Sequence, residues 1–203
     1  MDYSKFVDYH IEKGADITIS VVPVDQERAK QFGVMKLDDN CQITTFHEKP
    51  KDPELLEDLE VPRSVFTDQG VDPKERTHVA SIGNYVFNKS VLQELLNGSS
   101  YSDFGKEVIP FAISNKKVFS YFYDGYWEDI GTIGAFFEAH LDLTRALPHF
   151  NFYDEKNPIF THPRFLPGSK VLNASTENSI LCQGAIVNPS KISNSILGIR
   201  SKV

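Results

Sequence analysis

Four short polar stretches carry residue types suited to a phosphorylated sugar: Glu48-Lys49, Ser81 with Gly83, Asp103-Phe104-Gly105-Lys106, and Asp129. Lys49 and Lys106 each offer a compact positive charge to a phosphate. Glu48 and Ser81 can hydrogen-bond sugar hydroxyls, and glycine lets backbone N–H groups approach a ligand closely. Asp103 to Lys106 precede an apolar helical pattern, and the free N–H groups and dipole of a helix start favour anions. Asp129 lies in Gly125-Tyr126-Trp127-Glu128-Asp129-Ile130-Gly131-Thr132, where an alternating apolar segment gives way to an amphipathic one. A carboxylate at the carboxyl end of a strand can hold Mg²⁺ through oxygen while phosphates complete its shell. Each stretch also has a plainer reading: Asp129 and Thr132 as helix caps, Lys49 as a solvated strand end, Ser81 as a small core residue, Asp103 as a cap. For the Asp129 corner alone, capping is the commoner outcome.

The elements that must position these residues follow from periodicity. Tyr3, Phe6, Val7, His10 and Ile11 share one face of a helix over residues 1–13, with Gly14 placed for a left-handed cap. Ile17 to Val24 is a β-branched run that reads as a strand buried on both faces. Asp25 opens a brief helix that ends at Phe32-Gly33. Gly33 to Leu37, the turn Asp38-Asp39-Asn40, and Gln42 to Phe46 read as a hairpin whose second strand delivers His47-Glu48-Lys49-Pro50. Residues 50–78, with four prolines and many charges, read as a surface insertion, and Asp52-Pro53 and Asp72-Pro73, each an N-cap followed by proline, predict one or two short helices.

Val79 to Phe87 is a strand interrupted by Gly83, and a glycine there marks a bulge or a close backbone approach. Val91 to Leu96 form a helix closed at Asn97-Gly98, and Val108 to Ile113 form the apolar side of the next. Val118 to Tyr123 alternate as a strand. Ile133, Phe136, Phe137, His140, Leu141 and Thr144 then recur at helical spacing, which places Asp129 at the end of the strand. Residues 149–170 are a linker rich in aromatics, punctuated by Asn157-Pro158, His162-Pro163 and Pro167-Gly168. From residue 171 a new period appears, because Ile180, Ile186 and Ile192 are spaced by six, as are Leu197 and Val203 after a one-residue slip. A six-residue apolar repeat predicts the start of a parallel β-helix built from three hexapeptides per coil.

The totals limit what these residues can meet. With 203 residues, 40% hydrophobic and 24% charged, the composition is that of a globular protein with a real core. A formal charge of −7 argues against a general nucleic-acid or anionic-membrane surface, so any phosphate site must be local. Cys41 and Cys182 have no ligand or disulfide-framework spacing, which fits a reducing cytosol. No apolar run approaches the ~20 residues of a spanning helix.

Phe46-His47-Glu48-Lys49-Pro50, Ala80 to Phe87, Asp103 to Glu107 and Tyr126 to Thr132, with Phe32 to Met35 and Arg164-Phe165-Leu166-Pro167, follow the order and spacing of one family. The chain resembles the glucose-1-phosphate adenylyltransferases, also called ADP-glucose pyrophosphorylases, over essentially its whole length. The resemblance implies an α/β fold: the C-terminal part of a Rossmann-like, GT-A-like nucleotidyltransferase domain over residues 1–148, then the start of a left-handed parallel β-helix over 171–203. It implies adenylyl transfer from ATP to α-D-glucose 1-phosphate, giving ADP-glucose and pyrophosphate, in a tetramer. Gly33, Glu48, Lys49 and Ser81 would hold glucose 1-phosphate, and Asp129 would bind Mg²⁺. Lys49 and Asp129 would be the catalytic pair, with Asp103 and Lys106 as secondary contacts.

The family's glycine-rich ATP loop and second metal-binding aspartate lie upstream of everything present here, and both ends look cut. The expectation is therefore that the 203 residues alone make no ADP-glucose. Asn84, Gly168 and Gly134 depart from the family pattern without touching the contact residues. A non-catalytic regulatory or assembly subunit and another sugar-1-phosphate nucleotidyltransferase, such as a mannose-1-phosphate guanylyltransferase, are the alternatives. Asp103-Phe104-Gly105-Lys106 has a bacterial look that predicts a cytoplasm over a plastid.

Overall fold

A computed structural model describes residues 1–97, 99–156 and 158–203. The helix stop read at Asn97-Gly98 and the punctuation at Asn157-Pro158 thus fall partly outside the described residues. The chain divides into two compact units, Met1–Gly125 and Tyr126–Val203. This division lies upstream of the boundary expected after residue 148, because the helix read as the end of the first domain belongs with the second unit.

The first unit is built on a five-stranded sheet of order β3-β2-β4-β1-β5. Its strands are β1 (Ile17–Val24), β2 (Gly33–Leu37), β3 (Ile43–Glu48), β4 (His78–Phe87) and β5 (Val118–Phe122). Only β1 and β5 pair in parallel; the other neighbours are antiparallel. Every residue of β1 is buried, as its unbroken β-branched run requires of a central strand. Helix α1 (Tyr3–Glu12) begins at Asp2, whose side chain accepts from Ser4 N–H at 3.0 Å, and Gly14 follows its end at φ +54°. The short α2 (Gln26–Ala29) is capped by Asp25, which accepts from Arg28 N–H at 2.8 Å. The turn between β2 and β3 reaches β5, where Cys41 O accepts from Ser120 N–H at 2.9 Å and from its hydroxyl at 3.0 Å.

The segment 50–78 is no surface insertion. Helices α3 (Pro53–Asp58) and α4 (Arg63–Asp68) bury Leu56, Leu59 and Phe66 completely, and Val61, Val65 and Phe66 join the main apolar cluster of the sheet. Phe66 meets Phe122 of β5 edge to face, with centroids 5.6 Å apart. Sparse apolar residues conceal this in the sequence, since the few present all point inward. The segment is also tied by His78, which is fully buried: its Nε2 donates to Leu56 O at 2.9 Å and its Nδ1 accepts from the Thr77 hydroxyl at 2.9 Å. Asp52-Pro53 starts a helix as expected. Asp72-Pro73 does not; Asp72 instead accepts from Lys74 N–H at 3.0 Å in a turn.

Helix α5 (Lys89–Leu96) follows β4. A π-helical turn (Phe104–Val108) leads directly into α6 (Ile109–Asn115), which lies against β3.

In the second unit, α7 (Ile133–Asp142) lies against a pair of stacked coils. Strand β6 (Lys170–Val171) pairs in parallel with β8 (Ile186–Val187), and β7 (Ser175–Leu181) with β9 (Lys191–Leu197). Lys170 stands on Ile186 and Ser175 on Lys191, so a coil takes sixteen residues. Three full hexapeptides would take eighteen; Ile180 stands on Ile196, so the side that starts at Ile192 is shorter by two residues. Asn178 and Asn194 turn equivalent corners at φ +45° and +47°, a conformation that asparagine tolerates better than most residues.

Candidate functional site

Two strand ends and the interior of a third strand in the first unit bring most of the expected residues together. Gly33 opens β2 and pairs with Glu48 at the end of β3, while Val34 pairs with Ala80, the residue before Ser81, on β4. Antiparallel pairing therefore aligns Gly33, Glu48 and Ser81 where the β2–β3 pair ends, beside the interior of β4. A Cβ at Gly33 would overlap the Phe46 ring and stand 3.0 Å from Glu48 Oε2, so the Glu48 carboxylate sits where only a glycine leaves room. On its other side lies Gly105, whose added Cβ would be 3.2 Å from the same oxygen and 3.5 Å from Asp103 Oδ1.

Lys49 follows β3 at φ +50°, a conformation uncommon for a side-chain-bearing residue, and is tied back by its N–H to Phe32 O at 2.9 Å. Its Nζ lies 3.7 Å from Glu48 Oε1, with the side chain 61% exposed. Separations of that order between exposed charges add little stability, so the pair's value lies in presenting a cation and an anion side by side.

Gly83 has φ +82° and sits in a bulge of β4, because Ile19 pairs with Tyr85 while Val21 pairs with Ser81. The bulge forms as expected from a glycine within a strand. It turns Gly83 N–H toward the Ser81 hydroxyl, which accepts it at 3.2 Å. Tyr85 is not among the expected site residues, yet its phenol responds to Ser81, Glu48 and Asp103. Burial raises its pKa above the usual phenol value; the carboxylates add to that rise and the Ser81 hydroxyl opposes it. Tyr85 and Phe87 also pack on Phe104, at centroid distances of 6.1 and 5.9 Å. A sequence signal for Tyr85 exists, since Ser81, Gly83 and Tyr85 are each two positions apart and so share a strand face.

The expected anion cradle at Asp103 to Lys106 is differently built. Asp103 accepts from Lys106 N–H at 2.8 Å, and Glu107 Oε2 accepts from Ser102 N–H at 2.8 Å and Asp103 N–H at 3.1 Å. These backbone bonds hold the Glu107 carboxyl below its usual range. Carboxylates therefore occupy the donors that a phosphate would use, and the turn contributes its Asp103 carboxylate and Gly105 backbone to the Glu48 side of the site.

Asp129 does not stand at a strand end. Strand β5 stops at Phe122 and α7 starts at Ile133, so Asp129 is exposed on the intervening loop, in the second unit. Thr132, and not Asp129, caps α7, accepting from Ala135 N–H at 3.1 Å. Gly131 accommodates the Asp129 carboxylate, for a Cβ there would lie 3.0 Å from Oδ2. Among the described residues no three of His, Cys, Asp and Glu converge on a metal position. Mg²⁺ is commonly held by one or two carboxylates with substrate phosphates and water, so a single Asp129 oxygen fits the protein's share of such a shell.

Comparison with known proteins agrees with the order of these motifs. The family described as Nucleotidyl transferase matches residues 1–146, and the GLGC left-handed parallel beta-helix domain matches residues 164–203. The chain is similar to the glucose-1-phosphate adenylyltransferase small subunit, chloroplastic/amyloplastic, of Triticum aestivum, at 45% identity over 205 residues, covering 99% of this chain and 43% of that protein. It thus spans less than half the length of that relative. The expectation of a bacterial cytoplasm is overturned by the plastid address of this relative: a four-residue helix start such as Asp103 to Lys106 reports capping, not compartment. No helix of the described residues is long and apolar enough to cross a membrane.

Proposed function

The chain belongs to the nucleotidyl transferase family, and on that premise we propose that it supplies the sugar-phosphate half of a glucose-1-phosphate adenylyltransferase acting in a plastid. The complete reaction transfers the adenylyl group of ATP to α-D-glucose 1-phosphate, releasing pyrophosphate and giving ADP-glucose for starch or glycogen synthesis. The observation that carries this reading is the Glu48 carboxylate set between Gly33 and Gly105, with Lys49 beside it and Ser81 on the neighbouring strand.

Lys49 offsets the charge of the sugar phosphate, whose oxygen must approach the α-phosphorus of ATP in line. Glu48 and the Ser81 hydroxyl bind sugar hydroxyls, and the Gly33 backbone lets the ligand lie against the strand end. Asp129 would hold Mg²⁺ through a carboxylate oxygen, where the ion would supply charge neutralisation for the reacting phosphates. No covalent enzyme intermediate is needed, because positioning and charge neutralisation suffice for phosphoryl-type transfer. Assembly into a homotetramer belongs to the same proposal.

Calorimetric titration of the purified chain with α-D-glucose 1-phosphate tests the proposal. Binding that is weakened in Lys49→Ala and Glu48→Gln, with mannose 1-phosphate bound less well, is the expected result. Equal binding of both sugar phosphates by wild type and variants would contradict it.

A further inference from the structure

The second unit holds a carboxylate cluster that the sugar-phosphate reading does not use. Asp142, the last residue of α7, is only 8% exposed. It receives three donors: the His149 backbone N–H at 2.9 Å, His149 Nδ1 at 2.9 Å, and Arg145 Nη1 at 3.2 Å. These bonds draw the segment after α7 back onto the helix end. They also set the His149 ring nearly parallel to Tyr126, with centroids 5.7 Å apart and 17° between planes, and Phe150 continues the stack at 6.5 Å and 27°.

Tyr126 stands three residues before Asp129, on a loop that no strand or helix ladder holds. The Tyr126 phenol is raised in pKa, by burial first and then by the charges of Glu128 and Asp142. A loop carrying a metal ligand must be held in one arrangement if its carboxylate is to be preorganised, and ring stacking fixes a backbone segment at low entropic cost.

We propose that Asp142 is a positioning residue: by holding His149 against the face of Tyr126, it fixes the loop that carries Asp129. This role rests on the reading of Asp129 as the metal ligand. Asp142 touches neither metal nor substrate; it acts through His149 and Tyr126. Two bonds to one residue, backbone and ring, give the clasp a defined orientation that a single contact would not.

Trp127 is the only tryptophan in the chain and lies inside this loop, so its fluorescence reports the clasp directly. Acrylamide quenching of Trp127 in the whole chain is expected to rise at least two-fold in Asp142→Ala, His149→Ala and Tyr126→Ala. Tyr126→Phe keeps the ring and should match wild type, as should Arg145→Ala, which removes a donor outside the stack. His149→Phe, restoring a ring without Nδ1, should recover part of the protection. Unchanged quenching in His149→Ala, with wild-type circular dichroism, overturns the inference. That variant removes a side chain that is 65% exposed, so it remains decisive even where Asp142→Ala does not fold.

Titration with Mn²⁺ separates the clasp from the reading of Asp129. Mn²⁺ quenching of Trp127 that is lost in Asp129→Asn and weakened at least three-fold in His149→Ala supports both. Absence of Mn²⁺ quenching in wild type refutes Asp129 as the ligand while leaving the acrylamide result to decide the clasp. Equal Mn²⁺ quenching in wild type and His149→Ala overturns the positioning role.

Discussion

Gly33→Ala is the smallest change that separates packing from binding at the candidate site. The added Cβ would overlap the Phe46 ring and stand 3.0 Å from Glu48 Oε2. Phe46 is 8% exposed and belongs to the main apolar cluster, so its ring cannot swing into solvent without opening the core. Overpacking of this kind costs about 1–3 kcal/mol. Glu48 must move as well, and hydrogen bonds to charged groups contribute roughly 1.5–3 kcal/mol, so affinity for α-D-glucose 1-phosphate should fall about 10- to 100-fold. Gly105→Ala is the control. Its Cβ would come nearest to the side-chain ends of Glu48, at 3.2 Å, and Asp103, at 3.5 Å, and these flexible ends can give way. It should cost no more than about 0.5 kcal/mol of stability. Urea unfolding followed by calorimetry on both variants measures the two effects. A Gly33→Ala chain with wild-type midpoint and wild-type affinity would refute the close packing of Gly33, Phe46 and Glu48 as the basis of the site.

Phe66→Ala should lower stability by about 3–5 kcal/mol in urea unfolding, because the ring is fully buried against Phe122; a shift typical of a surface loop would contradict its core placement. Burial raises the Tyr9 phenol above its ordinary pKa, and its hydroxyl donates to Ser120 O at 2.9 Å. Its contribution is therefore complete below the unfolded phenol value of about 10 and is lost as pH rises beyond it. Thermal unfolding across alkaline pH should fall more steeply in wild type than in Tyr9→Phe. The Asp142 carboxyl is held below its usual range, chiefly by the His149 backbone N–H. Its contribution is present above the ordinary carboxylate value and fades as pH falls through the lowered one. The acid transition of Trp127 emission should lie below the usual carboxylate range in wild type and be absent from Asp142→Asn.

Local patterns make much of the first unit legible. The buried run Ile17 to Val24, the hairpin around Asp38-Asp39-Asn40 and the caps at Asp25, Asp52 and Thr132 each depend on neighbours in the sequence, and each forms where periodicity and turn chemistry place it. The glycine bulge at Gly83 is legible for the same reason. What the sequence conceals depends on distant partners. Residues 50–78 read as surface because apolar residues are few there, and nothing local reveals that Val61, Val65 and Phe66 close the core of the sheet. Asp129 reads as a strand-end residue because the loop between Phe122 and Ile133 has no periodicity to announce it. Tyr85 is legible only as a same-face neighbour of Ser81, while its place beside the site depends on the bulge of β4 against β1. The hexapeptide period reveals the coils, while their sixteen-residue length follows from the pairing of Lys170 with Ile186.

The central claim is that Glu48, Lys49, Gly33 and Ser81 form one sugar-phosphate site where the β2–β3 pair ends, beside β4. Crystals of the chain grown with α-D-glucose 1-phosphate test it most directly. Density for the sugar is expected against Glu48 and Ser81, with its phosphate on Lys49. Sugar phosphate bound only in the second unit, or nowhere near the end of β3, would contradict the claim.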